Sequence, residues 1–191
     1  MRIISGKNRG VKLAQIGLGD IANNLRPTSD RVRENTFNLL INGKFNLSLE
    51  GSRVLDVFAG TGALGFESLS RGAKWVTFIE KNSIALEILK KNIVLCKENN
   101  SSEIKQEDVT KIKKNCGKAF DLIFLDPPYG TGVGEQALLR LIQEEWISKD
   151  ATIVFENDRE VDLEPFRTLE SRKYGKTKFG VSRILHGFLD L

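Results

Sequence analysis

From Arg53 onward the chain alternates short apolar runs with longer segments of helical period, and this alternation restricts its fold more than any other feature. Arg53–Phe58, Trp75–Glu80, Glu103–Gln106, Phe120–Asp126 and Thr152–Glu156 read as strands. Helices are expected over Gly62–Arg71, over Ser83–Asn99 with Ile84, Ile88, Leu89 and Leu95 inward, and over Glu135–Trp146. Strands that take turns with helices build a mostly parallel sheet, because a parallel neighbour is reached only by a crossover that covers one face. The last stretch breaks the rule. Leu169–Lys173 and Arg183–Leu189 read as two strands with no helix between them, joined by a basic loop over Tyr174–Ser182. An antiparallel hairpin at one sheet edge follows, on an α/β sheet with helices on both faces.

The residues before Arg53 form a different part. Arg2-Ile3-Ile4-Ser5 and Val11-Lys12-Leu13-Ala14 flank the turn Gly6–Gly10 and read as a β-hairpin. An isolated hairpin is marginal in water, so this one must pack on the body or on a partner. Residues 17–27 read as loop, and a helix is expected to start near Thr28-Ser29-Asp30. It should run to about Leu40 with Val32, Thr36, Leu39 and Leu40 inward, and stop at Asn42-Gly43. The organisation expected is a hairpin and loop over 1–27 and a main domain over 28–191.

Several function classes drop out on residue types alone. No apolar run approaches the roughly 18 residues of a membrane span, and the first residues lack a signal-peptide core, so a cytoplasmic protein without membrane attachment is expected. Cys96, Cys116 and His186 are the only thiols and imidazole. A structural zinc site takes about four such ligands, so no metal is expected. A lone histidine, expected in a C-terminal strand, also argues against a Ser-His or Cys-His pair. Charge is uneven: residues 1–50 hold eight Lys/Arg against four Asp/Glu, residues 51–165 fifteen against nineteen, and residues 166–191 six against two. Basic ends around an acidic middle suit either a polyanionic partner or a plainly solvated surface.

Asp56-Val57-Phe58-Ala59-Gly60-Thr61-Gly62-Ala63-Leu64-Gly65 carries the first piece of chemistry. Gly60 to Gly65 match G-x-G-x-x-G, a string that also describes dinucleotide sites. In those sites the glycines follow the strand directly and helix amides meet a pyrophosphate. Here Asp56 and Phe58-Ala59 intervene, and a carboxylate beside a pyrophosphate would be repulsive. It suits an ammonium group, such as the amino-acid end of S-adenosylmethionine, while Gly60 and Gly62 let the backbone approach the ligand closely. Glu80, ending the second strand, is placed to bind ribose hydroxyls. Asp108 and the Val109 amide suit an adenine edge, although Asp108 equally suits a helix cap.

Leu125-Asp126-Pro127-Pro128-Tyr129 closes the fourth strand. A base exocyclic amine is a poor nucleophile because its lone pair is delocalised into the ring. Asp126 and the Pro127 carbonyl can each accept a hydrogen bond from such an NH2 group, which favours a pyramidal nitrogen with its lone pair aimed at a methyl donor. The prolines stiffen the turn, and Tyr129 offers a ring on which a base taken out of its stack can rest. Asp126, Pro127 and Tyr129 are therefore the candidate catalytic residues.

These motifs resemble those of class I S-adenosylmethionine-dependent methyltransferases, whose fold is a Rossmann-like, seven-stranded, mostly parallel sheet with an antiparallel C-terminal hairpin. More narrowly, the chain is similar to the RsmD-type 16S rRNA guanine-N2 methyltransferases. The similarity lies in Met1–Lys7 with Arg9-Gly10, Leu25–Thr28 with Asp30–Glu34 and Phe37-Asn38, Val54–Gly65, Ser70–Ala73, Phe78–Lys81 and Leu125–Tyr129. It implies S-adenosylmethionine as donor and a guanine of 16S rRNA as acceptor, within an assembling small subunit, with the protein acting as a monomer. By motif match Asp56, Phe58, Gly60, Gly62, Glu80, Asp108 and Val109 would hold the cofactor. The N-terminal β-hairpin extension, through Arg2, Lys7, Arg9 and Lys12, would dock on RNA, with Arg26, Thr28 and Arg33 bordering the site. Asn8 stands where the family often has an aromatic.

Other functions fit less well. A DNA amino-methyltransferase usually carries a sizeable recognition segment, for which the residues after Asp126 leave little room. Protein-glutamine methylation goes with Asn-Pro-Pro-Tyr, against which Asp126 speaks. A non-catalytic RNA-binding assembly factor would not need both motifs intact.

Overall fold

The computed structural model describes residues 1–15, 29–43, 45–128, 130–157, 166–174 and 177–184. The chain divides into two compact units, Met1–Gln106 and Glu107–Leu191. Among the described residues, no helix is long and apolar enough to cross a membrane.

The first unit opens on the N-terminal hairpin. Its pairing is short: one antiparallel bridge joins Arg2 and Lys12, flanked by Ile3 N–H to Val11 O (3.0 Å) and Gly10 N–H to Ile3 O (2.9 Å). Ile3 and Leu13 point inward and are buried. Helix α1 (Asp30–Asn42) starts where expected, because the Ser29 side chain accepts from Val32 N–H as an N-cap. Its buried face holds Arg33, Thr36, Phe37, Leu39 and Leu40. Strands β1 (Arg53–Val57), β2 (Trp75–Ile79) and β3 (Ser102–Lys105) follow, with β2 parallel to both β1 and β3. Between them run α2 (Ala63–Ser70) and α3 (Ser83–Cys96).

Every residue of α2 is buried, including Glu67 and Ser70. One side packs on the sheet, where the Phe66 and Phe78 rings lie 4.9 Å apart. The other side is covered by the hairpin. Ile4 and Ser5 N–H donate to the Glu67 carboxylate (2.8 and 3.0 Å), Lys7 N–H to Ser70 O (2.8 Å) and Asn8 N–H to Ser70 Oγ (2.9 Å). The inner face of α3 is Ala85, Leu86, Ile88, Leu89, Asn92 and Cys96, while Ile84 and Leu95 are exposed. The expectation of Ile84 and Leu95 inward is thus corrected. Hydropathy preferred Leu95 over Asn92, yet the amide of Asn92 is the buried group because it has hydrogen-bond partners inside.

In the second unit β4 (Phe120–Leu125) lies parallel to β5 (Ile147–Asn157), β7 (Thr177–Ile184) is antiparallel to β5, and β6 (Phe166–Tyr174) is antiparallel to β7. A short 3-10 turn (Val109–Lys111) and helix α4 (Val133–Gln143) complete it. The strand order is β4-β5-β7-β6 here and β3-β2-β1 in the first unit. Three expectations change. Helix α4 ends three residues before Trp146, since Glu145 turns to φ 60° and the indole stacks on Phe120 at 5.8 Å, donating to Lys113 O. Strand β5 starts at Ile147, with a register shift against β4 between Phe120 and Leu122. Thr177–Ser182 is strand, not loop: β7 pairs on both sides, so the backbone groups of Gly180 and its neighbours are bonded by β5 and β6. His186 lies outside the described residues.

Candidate active site

The first unit gathers two acids at the carboxyl ends of neighbouring parallel strands. Asp56, on β1, is buried, and its Oδ2 accepts from Gly65 N–H at 2.9 Å, tying the strand to the first turn of α2. Burial pushes its carboxyl up to about 7, the Gly65 N–H opposes this, and the charge of Glu80 adds to it. A carboxylate in that state gains from a cationic ligand, so the residue fits the ammonium end of an amino-acid-bearing ligand. Glu80, just past β2, is also buried. Its Oε1 accepts from Lys81 and Asn82 N–H (2.8 Å each) and its Oε2 from Gly60 N–H (2.8 Å). A carboxylate has about four acceptor directions. Glu80 therefore holds the Gly-rich turn and the start of α3 in place and keeps one direction, on Oε2, for a ligand hydroxyl.

The turn between these acids is conformationally unusual. Phe58 has φ 60°, in the left-handed region that costs a bulky residue roughly 1–3 kcal/mol and that clusters at ligand sites. Gly62, at φ 78°, is the N-cap of α2, and a Cβ there would stand 2.4 Å from Leu89 Cδ1 and 2.6 Å from the Phe66 ring. Only glycine meets both conditions.

The second unit carries the other group. Asp126 directly follows β4 and is half-buried, and Pro127 is buried after it. A Cβ on Gly134 would sit 2.6 Å from both Pro127 Cγ and the Phe155 ring, so α4 approaches both side chains closely at its first turn. Thr131 Oγ1 donates to Pro128 O (2.8 Å) and accepts from Val133 N–H (3.3 Å), closing the turn. The backbone around Asp126 is thereby fixed. Tyr129 lies outside the described residues. Asp108 caps the 3-10 turn, its Oδ1 accepting from Thr110 N–H (3.1 Å) and Oγ1 (2.8 Å), and Val109 is buried.

Of the residues expected to meet RNA, Arg2, Lys7, Arg9 and Lys12 are exposed on the hairpin, although Lys7 Nζ also pairs with Glu98 Oε1 at 2.9 Å. Arg26 and Thr28 lie outside the described residues. Arg33 is corrected: it is 0% exposed, with Nη2 on Asp30 Oδ1 (2.9 Å) and on Arg2 O, and Nε 3.6 Å from Glu67 Oε2. It is a buried bracket between α1, α2 and the hairpin. Asn8 likewise serves the fold, its Nδ2 donating to Cys96 O (3.1 Å) and Glu98 Oε1 (2.9 Å). Glu67, Asn92 and Ser70 escaped sequence reasoning. The one available signal was a lone acid in the mostly apolar Ala63–Leu69.

Parallel strands ending on acids, a Gly-rich turn into a helix and an antiparallel C-terminal pair define a Rossmann-like class I methyltransferase fold. A solved structure described as a putative methyltransferase from Escherichia coli has the same fold, with a TM-score of 0.81 and 30% identity over 96% of this chain and 97% of that one. A family model described as conserved hypothetical protein 95 matches residues 1–183, and the chain belongs to that family, the RsmD methyltransferases. Its relatives include the ribosomal RNA small subunit methyltransferase D of Haemophilus influenzae, 38% identical over 85% of this chain and 81% of the relative. The protein of the same name from Escherichia coli is 35% identical over 85% and 77%.

Proposed function

We propose that this chain transfers a methyl group from S-adenosylmethionine to the exocyclic N2 of one guanine in 16S rRNA, working as a monomer on an assembling small subunit in the cytoplasm. The observation that carries the chemistry is Asp126, a half-buried carboxylate on a braced Pro-Pro turn at the carboxyl end of β4. Relatives named for small-subunit ribosomal RNA support an rRNA acceptor; the guanine N2 is the finer part of the proposal and rests on the amine chemistry of Asp126.

The bound donor supplies a methyl group on a sulfonium, activated for direct displacement. Asp56 offers the negative partner for its amino-acid end, and the free direction of Glu80 Oε2 accepts from a ribose hydroxyl. Gly60 and Gly62 keep side chains out of the turn; Phe58, Asp108 and Val109 complete the set assigned to the donor. Asp126 accepts one N2 hydrogen and the Pro127 carbonyl the other, which turns the nitrogen lone pair out of conjugation and toward the methyl group. Once methylated, the amine would release a proton, and Asp126, already its hydrogen-bond acceptor, is the group that would take it or pass it to solvent. Tyr129 stacks on the guanine. Arg2 and Lys12 stand directly opposite each other in the hairpin and both are exposed. Arg2 Nε lies 4.0 Å from Asp30 Oδ2, and the exposed Lys7, Arg9 and Lys12 add further positive charge to the same hairpin, which favours phosphate contact by this face.

Mass-spectrometric mapping of methylated guanines in 16S rRNA from cells lacking the gene tests the whole. One N2-methylguanine should disappear and return with the gene; if every one persists, the acceptor is something else.

A further inference from the structure

Asn92 sits in the middle of α3, fully buried, and neither motif explains it. Its Oδ1 accepts from Ala14 N–H at 2.7 Å. Its Nδ2 donates twice, to Ala14 O at 3.2 Å and to Thr61 O at 2.9 Å. Thr61 is the residue between Gly60 and Gly62, inside the turn assigned to the methyl donor, and Ala14 ends the second arm of the hairpin. One planar amide therefore spans two segments 47 positions apart in the chain, and both of its hydrogens are in use. If the turn moves its carbonyl, the amide must rotate, and rotation breaks the paired bonds to Ala14. An unbonded amide has no water to turn to at this depth, so the arrangement favours all three bonds or a displaced hairpin. The hairpin is gripped a second time by Glu67 and Ser70 of α2, the helix that begins at Gly62. Turn and hairpin thus share two supports.

We propose that Asn92 is a positioning residue that couples occupancy of the Gly60–Gly62 turn to the seating of the N-terminal hairpin, so that donor binding orders the surface that meets the RNA. This rests on the reading of the turn as the donor site. By reciprocity, seating of the hairpin on its substrate tightens the donor site by the same factor.

The test uses the full chain and S-adenosylhomocysteine as ligand, with calorimetry to establish binding and amide hydrogen exchange to read the hairpin. In the wild type, bound ligand should slow exchange at the Ile3 and Gly10 amides, both inside the hairpin, by about fivefold, the worth of roughly one hydrogen bond. In Asn92→Ala the ligand should still bind while that ratio falls to about one. Ala14→Pro removes one bond from the hairpin side and leaves the interior intact, and it should do the same. A general stabilisation by ligand would survive both substitutions, so an unchanged ratio in the variants overturns the proposal. A ratio of one in Ala14→Pro and Asn92→Ala that comes with ligand-free exchange already as fast as in an unseated hairpin marks a purely architectural Asn92 and overturns it too. So does a wild-type ratio of one with ligand bound. Absence of binding heat in the wild type defeats the donor site itself and the coupling with it.

Discussion

At the scale of single residues the two acids assigned to the chemistry are built differently, and their variants should separate accordingly. Asp126 is half-buried on a braced turn directly after β4. Asp126→Ala is expected to lower the rate of methyl transfer by roughly 100-fold or more while S-adenosylhomocysteine affinity stays within a factor of two, as measured by single turnover and calorimetry. Asp56 titrates near neutrality. Its folded pKa of about 7 lies above the ordinary 3.8, so the protonated form is the one the fold prefers. Its contribution to stability is complete at low pH and is lost as pH rises from about 4 through about 7, by as much as ~4 kcal/mol. Asp56→Asn carries no such charge. Relative to the wild type it should therefore gain stability between pH 5 and pH 8, which denaturant midpoints at the two pH values will show.

At the scale of elements, the hairpin is part of the fold of its unit. Gly6 has φ 82°, and a Cβ there would lie 1.7 Å from Ser70 O. Gly6→Ala must therefore lift the turn off α2, strip Lys7 N–H and Asn8 N–H of their partners, and cost at least about 2–3 kcal/mol in thermal or chemical unfolding. What was legible at this scale was what is local. Ser29 marks the start of α1 and the strand-ending acids Asp56, Glu80 and Asp126 stand out, because caps and strand ends are written in adjacent residues. What was missed depends on distant partners. Asn92 is buried because Ala14 and Thr61 face it, Arg33 because Glu67 and Asp30 do, and β7 runs through Gly180 because strands lie on both sides. None of these partners lies within the window that periodicity reads. Nothing within a few residues of Arg33 sets it apart from the exposed arginines that helices usually carry.

At the scale of the whole molecule, the net charge of +4 matters less than which cations face water. Arg9 and Lys12 are exposed, while Arg33 is enclosed. Replacing Arg9 and Lys12 together with Gln should flatten the dependence of log affinity for rRNA on log salt by about 1–2 and leave the melting temperature within roughly 2 °C. Arg33→Met should do the reverse. It takes a buried cation from between Asp30, Glu67 and Arg2 O and leaves Glu67 to Arg71 Nε (2.8 Å) and the two hairpin amides. It should cost about 1–3 kcal/mol, with little change in the salt slope of whatever protein remains folded. Filter binding across a salt series, beside a thermal melt of each variant, distinguishes the two outcomes.

The grip of the hairpin on α2 and α3 also sets an order of events during synthesis. Its hydrogen-bond partners lie 62 to 91 residues downstream, at Glu67, Ser70 and Glu98. The hairpin residues thus leave the ribosome well before the groups that hold them. Until α2 has emerged the Ile4 and Ser5 amides have no Glu67 to donate to, and until α3 and the residues just after it follow, Asn8, Lys7 and Ala14 lack their partners on Asn92 and Glu98. The N-terminus acts as a latch that closes only on a nearly finished first unit, and a ribosome that stalls before Glu98 would leave it open to proteases and to other nascent chains.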